Sequence, residues 1–570
     1  MCSKMASTAW VLVVVSISAA VLVAQSTTRV SVDSFGGQGR VGAGGDVPYP
    51  YPLAAISADG RLIAFDSKLK ALVAGDTNAA RDVFVNDRQT GATTRVSVDS
   101  SGMQGNNHSY YPAISADGRY VVFTSIATNL VPGDANGAAD VFVHDRQTGE
   151  TARVSVDSQG SEANWVSWGG GISADGRRVV FNSAATNLVP GDTNGSPDVF
   201  VHDRQTGATT RASVDSQGGQ ADADSQQAVI SADGRFVAFF SWADNLVPGD
   251  TTPFRADIFV HDLATGETTR VSVDSNGAEG NGGSDYPSIS ADGRFVSFDS
   301  SASNLVPGDT NGWLDVFVHD RQTGATTRVS VDSQGVQGNF VSDVPALSGD
   351  GRFVAFQSWA SNLVAGDTNQ HGDVFVHDLL SGETSLASLG AQGEQGNNES
   401  VSPAISADGR FAAFTSHATN LVLGDTNGFL DAFVRDRTGP CSSPASWANY
   451  GSGWPGTNGI PGLIARSNPV LCGRLDVLAE NSAGADTTGV LFGGFTNADI
   501  VTAWNGTVLV LPALITPVLV PFAGLSITTT IPCDDSLCGL TLFVQVVETD
   551  VGASHGVSFT PGLELRLGVQ

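Results

Sequence analysis

Six short loops carry oxygen-bearing side chains at a spacing that could hold a hard cation. Asp192-Thr-Asn194-Gly-Ser-Pro-Asp198 places them at positions 1, 3 and 7. The pattern recurs at Asp76/Asn78/Asp82, Asp134/Asn136/Asp140, Asp309/Asn311/Asp315, Asp367/Asn369/Asp373 and Asp425/Asn427/Asp431. A seventh copy, from Asp250 to Asp257, lacks the Asn and is one residue longer. Calcium loops begin Asp-x-Asn or Asp-x-Asp and gather about six to eight oxygens. Here position 5 is never acidic and no Glu follows at position 12. Asp and Asn also close Asx-turns, and Asn-Gly forms turns by itself. Calcium is thus the one cofactor the sequence raises, beside a purely structural turn.

A second group mixes aromatics with carboxylates and amides. It comprises Tyr49 and Tyr51; Asn107, His108, Tyr110 and Tyr111; Trp165 and Trp168; Asp222, Asp224 and Gln226; Asp285 and Tyr286; Phe340 and Asp343; and Asn398 and Glu399. Such a mixture suits a carbohydrate or peptide ligand. Other motifs lead nowhere. Gly552-Ala-Ser554-His-Gly556 matches the Gly-x-Ser-x-Gly nucleophile pattern, but no Asp or His follows it to complete a triad. Walker, zincin and dinucleotide fingerprints are absent from the sequence. His144, His202, His261, His319 and His377 recur one per repeat, so they read as structural rather than as one site.

These residues ride on a repeat. Ile-Ser-Ala-Asp-Gly-Arg starts at Ile56, Ile114, Ile172, Ile230, Ile289 and Ile405, with Leu-Ser-Gly-Asp-Gly-Arg from Leu347; the period is 58 residues, with a single 59. A fixed period with several strand signals per unit means a repeat architecture. In the second unit, Tyr111–Ser115 and Arg119–Thr124 flank Asp117-Gly118, a pair read as a two-residue type I′ hairpin turn. Asp140–His144 is a third strand. Thr151–Asp157 is a fourth, and it alternates as an outer edge does. Four short antiparallel strands per unit, stacked around an axis, make a β-propeller, here of seven blades. Thr27-Thr-Arg-Val-Ser-Val-Asp-Ser34 is a fourth-strand sequence with no blade before it, and the seventh unit ends without one. The N-terminal strand is therefore expected to complete the last blade and close a monomeric ring.

The Ser-Ala-Asp-Gly-Arg turn with Tyr120-Val-Val-Phe123, and the strand Asp140-Val-Phe-Val-His-Asp145, resemble the TolB-like, WD40-like propeller repeat family over about residues 27–439. Ala stands where that family usually has Pro. The resemblance implies the fold. Relatives include periplasmic translocation proteins and the propeller gates of peptidases, and no residue carries either role across. In such a propeller the Asp-Gly and Thr-Gly turns share one face. The Asp-x-Asn loops and the inter-blade loops share the other, and the first inter-blade loop is eight residues longer than the rest.

The remaining signals concern compartment. Lys4 and the apolar run from Trp10 to Val23 read as a signal peptide over 1–24, cut after Ala24 or alternatively Ala20. The propeller, 25–439, has no cysteine. Cys441, Cys472, Cys533 and Cys538 lie in a strand-rich segment, 440–570, read as a small β-sandwich. Two disulfides are expected there, with Cys441–Cys472 and Cys533–Cys538 the preferred pairing of three. Pro512, Pro517 and Pro521 break its longest apolar stretch as a membrane helix. A net charge of −29 argues against nucleic acid and anionic membranes. The expected protein is an exported, all-β, non-catalytic binding or scaffold module for a protein, peptide or glycan. The alternatives are a propeller enzyme acting on polysaccharide through carboxylates such as Asp222, Asp224, Asp285 or Asp343, and a calcium-stabilised surface protein.

Overall fold

The computed structural model describes residues 26–34, 36–37, 54–251, 255–390 and 393–437, and beyond them 446–450, 455, 457–467, 474–494, 496–501, 507–511, 514–530, 541–553 and 557–566. The segment 1–24, Tyr49, Tyr51 and the four cysteines 441, 472, 533 and 538 lie outside the described residues. The described chain divides into a compact unit, Ser26–Arg437, and a second whose described residues begin at Ser446.

Seven four-stranded antiparallel sheets make the first unit, six of them with their strands in chain order. The second blade is typical: Ser109–Ile114, Tyr120–Ser125, Asp140–Asp145 and Thr151–Arg153, from the axis outward. The seventh holds Ser400–Ile405, Phe411–Ser416 and Asp431–Asp436, and Thr27–Arg29 adds its outer strand. Thr27, Thr28 and Arg29 pair with Arg435, Val434 and Phe433, so the first strand closes the last blade as expected. Apolar side chains on both faces of the two central strands fill the gaps between blades. In each blade one Phe from each of these strands stacks, as Phe123 on Phe142 at 5.9 Å, and both are fully buried.

The Asp-Gly turn differs in detail from the type I′ reading. Only Gly118 takes positive φ (70°). Gly118 N–H donates to the Ser115 carbonyl at 2.9 Å, and Ser115 N–H to the Tyr120 carbonyl, so four residues rather than two make the loop. Asp117 Oδ1 accepts from Ser115 Oγ (2.7 Å) and from Arg119 N (2.9 Å), which removes any need for Asp117 to be left-handed. The Ala that replaces the family's Pro has a use. Ala58 N–H donates to the Ala116 carbonyl of the next blade (3.0 Å), Ala174 to Ala232 (2.9 Å), and Ala407 back to Ala58 (3.0 Å). Proline has no N–H to give. These bonds link neighbouring blades, including the last to the first.

Each third-strand His bonds a Thr of its own blade's outer strand, as His144 Nδ1 with Thr151 Oγ1 at 2.9 Å. That is the structural role expected of it. In the second unit, Ser446–Tyr450, Gly562–Arg566, Thr541–Thr549, Thr487–Gly494 and Leu514–Val520 form one sheet, with Val557–Phe559 attached. Leu463–Ala465, Arg474–Ala479 and Leu525–Thr530 form another. Leu463, Leu475 and Val477 of the second sheet share an apolar core with Val546, Leu563 and Leu565 of the first. Among the described residues no helix is long and apolar enough to cross a membrane.

Candidate functional site

The inner strands do not run straight to the loop face. Six carry a β-bulge just below it, between Tyr110 and Ala113 in the second blade and between Asp343 and Ala346 in the sixth. At each bulge one residue is left-handed: Tyr111 (φ 56°), Gly169 (69°), Gln227 (51°), Tyr286 (50°), Val344 (49°) and Ser402 (54°). Only one is glycine, and for β-branched Val344 the conformation is costly, about 1–3 kcal/mol. Buried side chains of the preceding blade hold three of them. Thr124 Oγ1 accepts from Gly169 N (3.1 Å), Asp299 Oδ2 from Val344 N (3.0 Å) and Gln357 Oε1 from Ser402 N (2.9 Å). Phe240 occupies the equivalent place in the fourth blade, and there Gln227 Oε1 takes the Tyr286 N–H instead (3.1 Å).

The holding position is Asp66, Thr124, Asn182, Phe240, Asp299, Gln357 and Thr415, all buried. Sequence reasoning missed it. A comparison of the copies would have shown it, because the residue between Phe and Ser in each second strand is the one that changes most in an otherwise apolar run.

This framework sorts the predicted carboxylates. Asp285 and Asp343 come together electrostatically with Asp299, which the sequence had not singled out. Asp285 faces Asp299 across the fifth blade's inner pair of strands. Asp299 is 1% exposed; burial first, then Asp343 and Asp285, hold its carboxyl well above the usual range. Burial pushes Asp285 and Asp343 up to about 6. Among the described residues Asp343 Oδ1 has no hydrogen-bond partner. Glu399 adds a further negative charge beside Asp343. Asp222 and Asp224 stand apart, in the fourth blade. Asp222 Oδ1 accepts from Asp244 N (3.1 Å), and its own N–H donates to Asn245 Oδ1, the clamp that Asn106, Asn164, Asn281, Asn339 and Asn397 make elsewhere. Across the ring, Tyr110 packs edge-on to Tyr111 at 4.8 Å. Beside them lies a buried Arg81–Asp66 pair at 3.1 Å, and His108 Nδ1 accepts from Arg81 N (2.8 Å). Burial raises Tyr111 to about 12.

The aromatic side chains are unevenly spread. The tips before the third strand are Ala80, Ala138 and Ser196 in blades one to three, but Trp313, His371 and Phe429 in blades five to seven. Trp313 is 43% exposed and lies against Phe340, ring centres 4.4 Å apart. Trp242 is exposed on the fourth blade, edge-on to Phe240, and Trp165 is exposed on the loop entering the third. Trp168 is half-buried at the third blade's bulge, and its carbonyl accepts from Asn182 Nδ2 (3.2 Å). No Lys or Arg occurs in the loop-face segments of blades five to seven. That side of the face is aromatic and acidic.

The Asp-x-Asn loops have a different character. Asn136 Oδ1 accepts from Ala138 N (2.7 Å), an Asx-turn, and Asn136 Nδ2 donates to Asp140 Oδ2 (3.1 Å). The other five asparagines repeat this geometry. Oδ1 of Asn78, Asn194, Asn311, Asn369 and Asn427 accepts from the backbone N–H of Ala80, Ser196, Trp313, His371 and Phe429, at 2.9–3.0 Å. Their Nδ2 groups donate to Asp82 (3.2 Å), Asp198 (3.4 Å), Asp315 (3.2 Å), Asp373 (2.8 Å) and Asp431 (2.8 Å). A calcium loop needs the amide oxygen turned toward the carboxylates. Here the amide nitrogen is turned toward them, and a nitrogen that donates cannot ligate. In this geometry Asn78, Asn136, Asn194, Asn311, Asn369 and Asn427 brace their turns through both ends of the amide.

An outer-strand guanidinium then reaches both carboxylates. Arg153 Nη1 is 3.8 Å from Asp134 and 3.3 Å from Asp140, and it also pairs with Glu162. Arg95 meets Asp76 and Asp82, Arg211 meets Asp192 and Asp198, and Arg328 meets Asp309 and Asp315. Arg29 meets Asp425 and Asp431, and Arg270 meets Asp250 and Asp257. The sixth blade has Leu386 there, and Gln395 Nε2 alone bridges Asp367 (2.7 Å) and Asp373 (3.0 Å). Two clusters gather three carboxylates closely, Asp134/Asp140/Glu162 and Asp250/Asp257/Glu279, and each already contains an arginine. The donor set fits a braced turn better than a calcium ion, because a protein cation occupies the charged position.

The fold places the chain among all-β propeller repeat proteins, as the resemblance implied. No family model matches the chain, and no curated protein matches it. Solved structures similar to it include a TolB of Agrobacterium tumefaciens (16% identity, 50% of this chain and 81% of that one, TM-score 0.31). A periplasmic gluconolactonase of Pseudomonas aeruginosa (18%, 64% and 94%, 0.31) and an acylaminoacyl peptidase of Pyrococcus horikoshii (9%, 80% and 61%, 0.41) are also similar. Their activities differ, and a shared fold transfers none of them.

Proposed function

We propose that the protein is an exported, non-catalytic binding module that holds a glycan on the loop face over blades five to seven. The Trp313–Phe340 pair carries this reading: two exposed rings in contact on a rigid scaffold, with Asn339 next to Phe340 in the chain and Asp343 three residues beyond it. Sugar rings stack on such surfaces, and amides and carboxylates bond their hydroxyls. The absence of Lys and Arg from these segments favours neutral or amino sugars over acidic ones. Export rests on Lys4 and the apolar run that follows it. The test is a glycan array followed by calorimetry on the best ligand. Trp313→Ala and Phe340→Ala should each weaken binding at least about tenfold and leave the melt nearly unchanged. Retention of peptides but no glycan would sink the proposal.

A catalytic reading keeps one specific support. Asp285 and Asp343 stay partly protonated near neutral pH, as a general acid must. Release of new reducing ends from a bound polysaccharide, lost in Asp343→Asn, would make the protein a glycosidase.

A further inference from the structure

A cavity of about 370 Å³ runs along the propeller axis. Its wall is apolar: seven equivalent side chains, six Ile and Leu347, ring it at the repeat spacing, with proline and alanine above them. The third blade interrupts this wall. Where the second blade has Tyr111-Pro112-Ala113, the third has Gly169-Gly170-Gly171. Gly170 adopts φ 149°, and a Cβ there would come within 2.8 Å of Val122 Cγ1, so that stretch of wall stays bare. Through it the second strand's Asn182 reaches the cavity.

Asn182 also differs from three of its equivalents and shares its own-blade bond with Thr415, which donates to the Val401 carbonyl at 3.2 Å. Thr124, Asp299 and Gln357 each accept the N–H of the next blade's bulge. Asn182 instead turns its amide nitrogen to its own blade, where Nδ2 donates to the Trp168 carbonyl at 3.2 Å. A carbonyl can only accept, which fixes the amide orientation. Asn182 is 1% exposed, and among the described residues its Oδ1 has no partner. A buried acceptor left unpaired beside an apolar cavity calls for a donor from outside the chain.

We propose that the axial cavity is a binding site for a small, largely apolar molecule bearing one N–H or O–H group, an amine or an alcohol, which donates to Asn182 Oδ1. Among the described residues no Lys, Arg or His lines the cavity, so a carboxylate or phosphate would enter without a counter-charge. Asp285 and Asp343, each next in the chain to a lining residue (Tyr286 and Val344), supply the negative charge that would favour a cation at the neighbouring loop face, whereas burial keeps Asp299 protonated. This site is independent of the aromatic surface.

The test uses the whole secreted chain and three probes of matched shape: 2-phenylethylamine, 2-phenylethanol and phenylacetate. Melts and calorimetry should show the amine and the alcohol binding and raising Tm, with no effect of phenylacetate. Asn182→Leu should cut their affinity at least tenfold while the chain still folds, because the substitution removes the unpaired Oδ1 at the loss of one hydrogen bond to the Trp168 carbonyl. Ile230→Phe, which narrows the cavity, should do the same by another route. Trp313→Ala should leave probe binding unchanged, which separates this site from the glycan surface. Failure of both the amine and the alcohol to bind, equal binding of phenylacetate, or binding unaltered by both cavity substitutions would overturn the proposal; water alone would then fill the channel.

Discussion

The two faces of the propeller treat aspartate in opposite ways. On the turn face, Arg119 grips Asp145 through two hydrogen bonds (2.9 and 2.6 Å), and the same pair recurs in all seven blades. These pairs are partly open to water, so charge pairing wins. Asp87 is held down to about 2, and Asp145, Asp203, Asp262, Asp320 and Asp378 also lie below the usual range. On the loop face burial wins, even beside arginine. Asp66, Asp82, Asp134 and Asp431 are pushed up to about 6, as are Asp285 and Asp343. One face repeats and is optimised for stability. The other carries the variable inter-blade loops beside its own recurring Asp–Arg clusters, and it stores buried charge and backbone strain, which proteins tolerate where ligands bind.

The seam between first and last blades underlies both faces, and breaking it should have the largest effect. Val30 is buried in the core between blades seven and one, beside the closing strand. Val30→Asp should cost about 4 kcal/mol and drop the melt sharply. A small change would mean that the N-terminal strand is dispensable. Next comes the ion-paired loop. Arg153→Leu strands Asp134, Asp140 and Glu162 and should cost about 3 kcal/mol. If calcium then restored the loss, these carboxylates would be latent metal ligands; wild type should melt alike in calcium and in EDTA.

The faces should also separate by pH. Asp285 and Asp343 have folded pKa values near 6, above the unfolded 3.8, so the folded state keeps protons that the unfolded state has lost. Their contribution is full below about pH 4 and fades as pH rises through 6. Asp87 works the other way: its stabilisation is present above 3.8 and is lost as pH falls through about 2. Asp343→Asn should therefore flatten the decline between pH 4 and 6 and stabilise the protein by about 1 kcal/mol at pH 7. An unchanged pH profile would show that Asp343 is solvated and paired. The smallest effect tests the odd blade. Leu386→Arg supplies the guanidinium that six other blades have and should add about 0.5–1 kcal/mol. A loss would show that Gln395 already satisfies Asp367 and Asp373.

Much of this was legible in the chain because repetition acts as an internal control. The period, the four strands and the closing strand followed from residues that recur: Asp-Gly-Arg turns, Val-Phe-Val strands, and Thr27–Asp33 without a blade of its own. Position in the repeat also placed the variable side chains on one face. The turn type was misread because Asp117 satisfies its neighbours with its side chain instead of its backbone, and dipeptide rules do not register that. The Asp-x-Asn spacing leaves more open for a related reason: it counts oxygens along the chain, and it cannot say which end of the Asn78 or Asn311 amide meets the carboxylate.

Local patterns settled which strands form and in what order, since alternation and turn chemistry act over a few residues. They could not settle which carboxylates meet. Asp299 and Asp343 lie in different blades and come together only when the ring packs. Nor could they show that a guanidinium enters the Asp-x-Asn loop, because Arg153 comes to Asp140 from the next strand. The loss of side chains at Gly169–Gly171 gains meaning only when Asn182 stands behind it, facing an axis that no single repeat possesses. Burial, pairing and cavities arise from contacts between blades, and those exist only once the ring has closed.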